Sequence, residues 1–259
     1  MKPSILLDIK SNVALITFNR EDKFNSFNRE MALLLQKTLD DCAANDEVRS
    51  ILLTGAGKAF CAGQDIAELT GENAVGIEVI LSEHFNPIVA RIRNIDKPIV
   101  AAVNGVAAGA GANIALCCDV VLASSSSSFI QAFSKIGLIP DSGGTFFLPR
   151  LIGFQKASAL MMTGDKVSAE DAEKMGMVYK VINEATFADE SFAFAQTLAQ
   201  MPTQGLALTK AALNVSLHNS FAEQLAQEDR LQRKAAATKD YNEGITAFTE
   251  KRKPVFTGK

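Results

Sequence analysis

The sequence predicts an α/β fold that continues into a helical C-terminal region. Short apolar runs alternate with amphipathic helical segments over the first half of the chain. Helix-forming residues then dominate positions 186–252, with breaks near Pro202 and Asn219. Alternating strands and helices are typical of an α/β core, and the helical run that follows indicates an extension of that core. We therefore expect a core at 1–185 and a helical region at 186–259.

Four apolar, partly β-branched runs bounded by turn-forming residues predict buried strands. They are VALITF at 13–18, SILLTG at 50–55, PIVAAV at 98–103 and CDVVLAS at 118–124. A brief fifth strand is expected at VYKVI, 178–182.

Two amphipathic helices are predicted between these strands, because apolar side chains recur there at helical spacing. The first carries Met31, Leu34, Leu35, Leu39 and Cys42. The second, at 71–95, carries Ile77, Ile80, Leu81, Ile88 and Ile92. Residues 146–180 are expected to form short helices, and the serine run 124–128 a polar turn.

Composition excludes several classes of protein. The 259 residues are 47% hydrophobic and 21% charged, which supports a folded core. A net charge of −3, with no basic stripe, argues against nucleic-acid binding. No run of about 18 apolar residues could cross a membrane, and the N-terminus lacks a signal-peptide core. The four cysteines show no metal-like spacing and indicate buried thiols in a reducing compartment. These observations favour a cytoplasmic protein without a metal site.

Two glycine-containing turns follow predicted strands and precede predicted helices. AFCAGQDIAEL (59–69) turns at Gly63, and NGVAAGAGANIALCCD (104–119) turns around Gly109 and Gly111. Small residues let a ligand approach the backbone closely, and a helix N-terminus offers unpaired N–H groups. If the turns converge, one N–H from each could bind a single carbonyl oxygen and stabilise an oxyanion. The spacing alone fits two tight strand-to-helix connections at least as well.

Asp141, in KIGLIPDSGGT (135–145), has two interpretations. It follows Pro140 directly and precedes Ser-Gly-Gly. An aspartate in this context is a good N-cap for a helix beginning near Gly143, with the proline stiffening the entry. A carboxylate on such a turn could also act as a catalytic base. Local physics alone favours the cap.

Four blocks, in order over nearly the whole chain from position 15 to the tail, resemble the crotonase (enoyl-CoA hydratase/isomerase) superfamily. They are GKAFCAGQDI, NGVAAGAGANIALCCDVVLAS, IGLIPDSGGT and ITAFTEKRKPVF. The resemblance implies a crotonase-like spiral of ββα units and a helical C-terminal region that forms a homotrimer or a dimer of trimers. It implies acyl-CoA thioester substrates, with coenzyme A as part of the substrate and no separate cofactor. It also implies an oxyanion hole made by the N–H groups of Gln64 and Ala110.

The resemblance further implies which reaction is catalysed. Hydratases of the family carry glutamates at two places, which in this chain hold Asn113 and Phe133. The carboxylate instead stands at Asp141, where some isomerases of the family have their base. An acyl-CoA isomerase is therefore favoured, which shifts a 3-enoyl double bond or rearranges a ring epoxide of phenylacetyl-CoA in aerobic phenylacetate breakdown. Phe133 is expected to line the acyl pocket.

The expected coenzyme A contacts come from the same resemblance. The backbone from Ala62 to Ile66 would seat the adenine and pantetheine, which places Ala62, Gln64, Asp65 and Ile66 at the ligand. Lys23 and Lys251 fall where relatives have phosphate-contacting cations. Lys251, within EKRK, fits a solvated run of charge equally well.

Three other functions stay open at this point. An enoyl-CoA hydratase shares the fold. An aromatic-CoA dehalogenase would use an aspartate at the position of Asp141 as nucleophile, but needs a second base, and neither His84 nor His218 is suitably placed in the sequence. A non-catalytic CoA-binding scaffold subunit is the alternative outside enzymes, and the combination of Asp141 with both glycine turns argues against it.

Overall fold

The computed structural model describes residues 2–70 and 74–259. Its strands are β1 Ile5–Lys10, β2 Val13–Phe18, β3 Ser50–Gly55, β4 Ala59–Cys61, β5 Ile99–Val103, β6 Val106–Ala108, β7 Val120–Ser124, β8 Ser128–Ile130, β9 Lys166–Ser168 and β10 Lys180–Ile182. They form a six-stranded sheet in the order β1-β2-β3-β5-β7-β10 and a four-stranded sheet in the order β4-β6-β8-β9.

The chain passes repeatedly from the larger sheet to the smaller one. β3 is followed by β4, β5 by β6 and β7 by β8, and after each pair the chain enters a helical segment. The pairs β3–β5 and β5–β7 are parallel in the larger sheet, as are β4–β6 and β6–β8 in the smaller. This is the ββα spiral expected from the sequence. Because the units are parallel, the turns that end them lie at the same edge.

The helices are α1 Arg29–Ala44, α2 Ile77–Val79, α3 Asn86–Asn94, α4 Ala110–Leu116, α5 Gly144–Ile152, α6 Phe154–Thr163, α7 Ala169–Lys174, α8 Phe187–Ala199, α9 Thr203–Ser216, α10 Phe221–Ala236 and α11 Lys239–Thr249. A π-helical segment, Ile80–Phe85, joins α2 to α3. Short 3-10 helices span Glu21–Lys23, Ile66–Leu69, Ala132–Ile136 and Glu184–Thr186. No helix in the described ranges is long and apolar enough to cross a bilayer.

Helix α1 shows how local sequence sets an element. The side chain of Asn28 accepts a hydrogen bond from the N–H of Met31 at 3.0 Å and so caps the first turn. The apolar positions that predicted the helix, among them Met31, Leu35 and Leu39, are fully buried. One face of the helix therefore belongs to the core, and the opposite face carries charge.

The core has two parts, one on each face of the larger sheet. The first part includes four phenylalanines in edge-to-face contact, with Phe18 centred 5.3 Å from Phe27 and 5.1 Å from Phe60, and Phe27 centred 6.0 Å from Phe85. The second part lies under α8, where Phe187, Ala195 and Ala199 pack on inward-facing strand residues such as Leu52. Apolar strands buried on both faces explain the continuous apolar runs in the sequence.

The four long predicted strands and the helix α1 are confirmed. The expected helix at 71–95 begins at Ile77 and is divided by the π-helical segment, and its positions 71–73 lie outside the described residues. The serine run is a turn as expected, since Ser124 ends β7 and Ser128 begins β8. The C-terminal helices break near Pro202 and Asn219, as predicted. They also break between α10 and α11, where no glycine or proline marks a break.

Candidate active site

The candidate site lies where β4 and β6 end. These strands are parallel neighbours, so the turns at Gly63 and Gly109 are brought to one edge. A Cβ added to Gly63 would lie 3.0 Å from the carbonyl oxygen of Ala108 and 3.4 Å from the nitrogen of Ala110. The φ angle of Gly63 is +93°, a region that side chains rarely adopt. The two turns are therefore in contact, which is the condition that the sequence left open for a shared oxyanion site.

Two backbone N–H groups are presented at this junction. The N–H of Phe27 donates to the carbonyl of Gly63 at 2.7 Å, and the N–H of Asp65 donates to the carbonyl of Phe27 at 2.8 Å. These bonds flank Gln64, so its own N–H points away from Phe27. Ala110 begins α4, where the N–H has no intrahelical acceptor. Within the described part of the chain neither N–H has a protein acceptor, and two such groups could bind one carbonyl oxygen.

Gly109 has a backbone conformation that requires glycine. Its φ is 53° and its ψ is −128°, which strains any residue with a Cβ. An added Cβ would also lie 3.8 Å from the Phe133 ring. Phe133 follows β8, the next strand of the smaller sheet, and its side chain is buried. The third ββα unit therefore places this ring against the second glycine turn.

A cavity of about 220 Å³ opens at the junction, and its walls are mostly apolar. Of the residues predicted for the site, those that line it are Ala62, Gln64, Ile66, Ala110, Phe133 and Asp141. Apolar side chains that were not predicted for the site complete the walls, among them Leu69, Ile77, Ile80, Phe85, Ile136 and Leu138. A second cavity of about 310 Å³ shares Ile77, Leu138 and Asp141 with the first.

Asp141 stands between the two cavities with its side chain in a fixed position. The hydroxyl of Ser142 donates to Oδ1 of Asp141 at 2.8 Å. Burial raises the pKa of the Asp141 carboxyl above its usual value, although the Ser142 hydrogen bond acts in the opposite direction. A carboxylate that is desolvated in an apolar cavity is a stronger base than one in water.

The interpretation of Asp141 as a side-chain N-cap is wrong. Helix α5 begins near the expected position, but its N-cap is Gly143, and no side chain in the described part of the chain caps it. Ser142 and Gly143 both have left-handed φ angles, 51° and 75°, which turn the chain between the aspartate and the helix. It is the backbone carbonyl of Asp141 that accepts from the N–H of Gly144, at 2.8 Å. The carboxylate is left free for the cavity.

Asn113 lies beside this loop without lining either cavity described above. It is 1% exposed, and its Nδ2 donates to the backbone carbonyl of Asp141 at 2.9 Å. Its Oδ1 accepts from Nε2 of Gln131 at 2.8 Å. Neither Asn113 nor Gln131 was predicted to contact the loop, because the contact spans 28 residues and depends on the third dimension.

The residues predicted to contact coenzyme A lie in two places. Asp65 forms an ion pair with Arg20 at 2.8 Å and caps the 3-10 helix through the N–H of Ala67 at 3.1 Å. Burial acts to raise the pKa of Asp65, but the hydrogen bonds from Arg20 and Ala67 outweigh it and lower that pKa. Lys23 is exposed and precedes Phe24, whose carbonyl accepts from the N–H of Ala62 at 3.0 Å.

Lys251 lies elsewhere, exposed, just after α11. It does not line the cavity. The two histidines do not line the cavity either. His84 is fully buried in the π-helical segment behind the cavity wall, and His218 packs on Phe146 with ring centres 5.5 Å apart. No histidine lines the cavity within the described ranges, which disfavours a mechanism that needs histidine as a second base.

Cys61 is enclosed between the two turns. Its Sγ accepts a hydrogen bond from the N–H of Gly63 at 3.3 Å. A Cβ added to Gly111 would overlap the Cys61 carbonyl oxygen and lie 2.7 Å from Sγ, so only glycine fits there. Burial raises the pKa of the Cys61 thiol to about 12, and the thiol is therefore a packing group and not a nucleophile.

The converging turns, the spiral that produces them and the matched sequence define the class. The model of the enoyl-CoA hydratase/isomerase family matches residues 8–259, and the chain belongs to this family. It is accordingly an enzyme of the group that isomerises or hydrates CoA thioesters, with the crotonase fold.

Individual relatives cover essentially the whole chain. The chain is 44% identical to the 1,2-epoxyphenylacetyl-CoA isomerase of Escherichia coli (strain K12), with 100% of both proteins covered. It is 41% identical to a probable enoyl-CoA hydratase of Rhodobacter capsulatus, with 99% of this chain and 98% of that protein covered. The crystal structure of an enoyl-CoA hydratase from Bacillus anthracis superposes with a TM-score of 0.94 at 32% identity and covers 99% of this chain and 100% of that one.

Proposed function

We propose that this enzyme is an acyl-CoA isomerase in which Asp141 is the catalytic base. One observation carries the proposal: among the described residues that line the cavity, Asp141 is the one carboxylate. The two positions where the family's hydratases have glutamates hold Asn113, which is turned to the Asp141 backbone, and Phe133, which is apolar. A single base is sufficient for moving a proton and insufficient for positioning water between two acids.

The mechanism follows from this arrangement. The N–H groups of Gln64 and Ala110 donate to the thioester carbonyl oxygen and stabilise the negative charge that develops there. Asp141 removes a proton from the α-carbon of a 3-enoyl thioester, and the electron pair of that C–H bond enters a dienolate. The same carboxyl then returns the proton to the γ-carbon, and the double bond moves from the 3 to the 2 position. The raised pKa of Asp141 favours both transfers.

We propose the ring epoxide of phenylacetyl-CoA as a second substrate, rearranged to its oxepin isomer in phenylacetate breakdown. The 44% identity to the E. coli 1,2-epoxyphenylacetyl-CoA isomerase supports this acyl group. The ring of Phe133 and the aliphatic side chains Ile136 and Leu138 offer an apolar wall of the kind that a ring-derived acyl group needs. The rearrangement conserves all atoms and requires no redox partner.

The seating of coenzyme A is proposed from the family pattern. The pantetheine would follow the backbone from Ala62 to Ile66, where Ala62, Gln64 and Ile66 line the cavity. Lys23 stands next to this segment and could contact a phosphate. Lys251 does not line the cavity, and we propose it only as a contact with the outer part of coenzyme A.

The experiment compares three substrates in one preparation: a 3-enoyl-CoA, the ring epoxide and a good 2-enoyl-CoA. We expect isomerisation, with hydration of the 2-enoyl-CoA at least ~10²-fold slower, because a general acid or base typically contributes that much. Hydration as fast as isomerisation would contradict the proposal.

The variant Asp141→Asn should reduce isomerisation by at least ~10²-fold while coenzyme A binding stays nearly intact. Asp165→Asn serves as the matched control, since Asp165 is exposed and does not line the cavity. If Asp141→Asn keeps most of the isomerase activity, Asp141 is not the catalytic base.

A further inference from the structure

We propose that Asn113 is a positioning residue that holds the Asp141 loop at a fixed distance from the oxyanion-binding N–H groups. The proposal rests on the proposed function of Asp141 as the base. Asn113 is buried on α4, and its Nδ2 donates to the carbonyl oxygen of Asp141 at 2.9 Å. Asn113 acts through Asp141 and does not itself line the cavity.

The orientation of the Asn113 amide is set by a second buried side chain. Nε2 of Gln131, which is 4% exposed, donates to Oδ1 of Asn113 at 2.8 Å. The Asp141 carbonyl can only accept, so the amide presents its NH₂ group to the loop, and Gln131 supplies the donor for its oxygen. A carbonyl oxygen accepts only from a donor, so an asparagine fits this place and an ionised glutamate or aspartate does not.

Helix α4 thereby links the two halves of the site. Ala110, at its first position, presents one oxyanion-binding N–H, and Asn113, almost one turn later, holds the loop of the base. Both groups project from one short, fully buried helix. The distance between the bound thioester oxygen and the Asp141 loop is therefore fixed by a single rigid element, and near-attack geometry depends on such positioning.

The contact between Asn113 and the Asp141 loop is closely packed, and it holds the loop in a strained backbone conformation. A Cβ on Gly144 would overlap the Asn113 amide, so the loop can approach the helix only because residue 144 is glycine. Ser142 has a φ of 51°, which is unfavourable for a residue with a side chain. Without the Asn113 hydrogen bond, the loop could relax from this conformation and carry the carboxylate with it.

Asn113→Asp tests this arrangement, because the new carboxyl has the same shape and can donate only while it is protonated. Above the pKa of the introduced carboxyl, we expect kcat to fall about 10- to 100-fold, the range for a small misplacement of a catalytic group. KM should stay within about twofold, since binding at the thioester oxygen is unchanged. Because acid pH protonates Asp141 equally in both enzymes, the test is the ratio of the two activities at each pH. The activity of Asn113→Asp relative to the unsubstituted enzyme should recover toward acid pH, which produces an alkaline limb that the unsubstituted enzyme lacks.

Asn104→Asp is the matched control. The Oδ1 of Asn104 accepts from the N–H of Gly55 at 3.0 Å and its Nδ2 donates to the carbonyl of Gly57 at 3.0 Å, the same pattern away from the cavity. This variant should keep the pH profile of the unsubstituted enzyme. An Asn113→Asp enzyme with that unchanged profile and unchanged kcat would overturn the proposal.

Amide hydrogen exchange supplies a readout that needs no turnover. Loss of the hydrogen bond should speed exchange of the Gly144 amide about 10-fold in Asn113→Asp at neutral pH. If the unsubstituted enzyme isomerises none of the thioesters, the proposed function fails, while this exchange still tests the positioning role. If the Gly144 amide of Asn113→Asp exchanges as slowly as that of the unsubstituted enzyme, the positioning role of Asn113 is contradicted.

If Asn113→Asp does not fold, Gln131→Leu provides the second variant. It leaves Asn113 in place and removes the donor that orients its amide. We expect kcat to fall about 3- to 10-fold with little change in KM, a smaller effect because the amide can still rotate into place. A Gln131→Leu enzyme with unchanged kcat and unchanged exchange at Gly144 would overturn the proposal.

Discussion

At the scale of single residues, Asp141 shows how a side chain is left available for the proton transfer that we propose. Its carboxylate is half-buried, accepts from the Ser142 hydroxyl and lies at the boundary of two cavities. Its backbone carbonyl is held by Asn113 and Gly144. The carboxylate of Asp141 is thus available to a substrate, because the backbone carbonyl of Asp141 makes the contacts that hold the loop.

The raised pKa of Asp141 predicts a cost in stability. The folded protein binds the Asp141 proton more tightly than the unfolded chain, whose value is near 3.8. Between these two pKa values the folded state carries more bound protons, so the stability contributed by this group falls as pH rises. Asp141→Asn should therefore have a higher free energy of unfolding than the unsubstituted protein at pH 7, measured by urea titration.

The difference in free energy of unfolding between the two proteins should disappear as pH falls below 3.8, the pKa of Asp141 in the unfolded chain. Both proteins then carry an uncharged side chain at this position. The exposed Asp165→Asn change should show no such pH dependence. A lower stability of Asp141→Asn at pH 7 would mean that the Ser142 hydrogen bond outweighs desolvation.

At the scale of elements, the π-helical segment Ile80–Phe85 has an unusual interior. Its ends, Ile80 and Phe85, line the cavity, and His84 between them is fully buried. Within residues 2–70 and 74–259, neither ring nitrogen of His84 has a hydrogen-bond partner. A buried polar group without a partner costs free energy, and π-helical segments often occur near functional sites.

Burial lowers the pKa of His84, with Glu68 acting to raise it, Arg29 to lower it and Glu83 to raise it. Below the ordinary histidine value of 6.5 the unfolded chain binds a proton that the folded protein resists, so stability is lost as pH falls. His84→Met should leave the free energy of unfolding at pH 7 unchanged or raise it by about 1 kcal/mol. The free energy of unfolding of this variant should also decrease less between pH 7 and pH 5 than that of the unsubstituted protein.

Urea titrations at several pH values measure both effects, and the exposed His218→Gln provides the control. An unaltered pH dependence in His84→Met would show that other groups cause the acid loss.

The elements that the sequence predicted share a simple signal. β2, β3, β5 and β7 are apolar runs buried in a sheet, and their composition is sufficient to identify them. β4, β6, β8 and β9 have three residues each and lie within turn-rich segments, so no periodicity is available. β1 has one buried residue in six, because it is an edge strand, and it was also missed.

The residues of the candidate site also divide into those that a sequence motif identifies and those that it does not. The glycine turns and Asp141 stand out as short motifs, whereas Ser142, Asn113 and Gln131 matter through contacts that depend on the folded loop. The cap interpretation of Asp141 failed because left-handed angles at Ser142 and Gly143 cannot be deduced from residue types alone. The break before α11 was missed because it is made by Thr238, whose hydroxyl caps the helix.

At the scale of the whole molecule, a buried ion pair joins the helical region to the core. Nζ of Lys210, on α9, lies 2.8 Å from Oδ2 of Asp119 and donates to the carbonyls of Ile92 at 2.6 Å and Lys97 at 3.3 Å. Arg93 pairs with the other oxygen of Asp119 at 3.1 Å. Lys210 is 6% exposed, so its charge is stabilised by these groups and not by water.

Lys210→Met should therefore lower the free energy of unfolding by about 3 kcal/mol, because among the described residues Asp119 keeps only Arg93 and the N–H of Ile99, and the carbonyls of Ile92 and Lys97 lose this donor. Urea denaturation measures this change. Lys174→Met is the control, since its pair with Asp171 is exposed and 3.9 Å long, and should change stability by less than about 0.5 kcal/mol. Equal effects of the two substitutions would contradict a structural role for the buried pair.

We propose that the molecule assembles as a homotrimer or a dimer of trimers. Large apolar side chains are exposed on the helical region, where Phe221 is 80% and Phe248 is 87% exposed, and on the core, where Ile139 is 80% and Phe154 is 73% exposed. Such surface is costly in water unless a partner covers it. Light scattering at micromolar concentration should give a trimer or hexamer mass, and a monomer mass would contradict the proposal.

Because Cys61 is enclosed between the two glycine turns, the rate at which the proposed oxyanion site opens can be measured. A thiol-specific alkylating reagent attacks the thiolate, and this thiol is buried with a pKa of about 12. Alkylation therefore requires the two turns to separate, and the labelling rate of Cys61 measures how often they do so. A thioester that binds both N–H groups joins the turns through a single oxygen atom, and the labelling rate of Cys61 should then fall in proportion to the fraction of enzyme occupied.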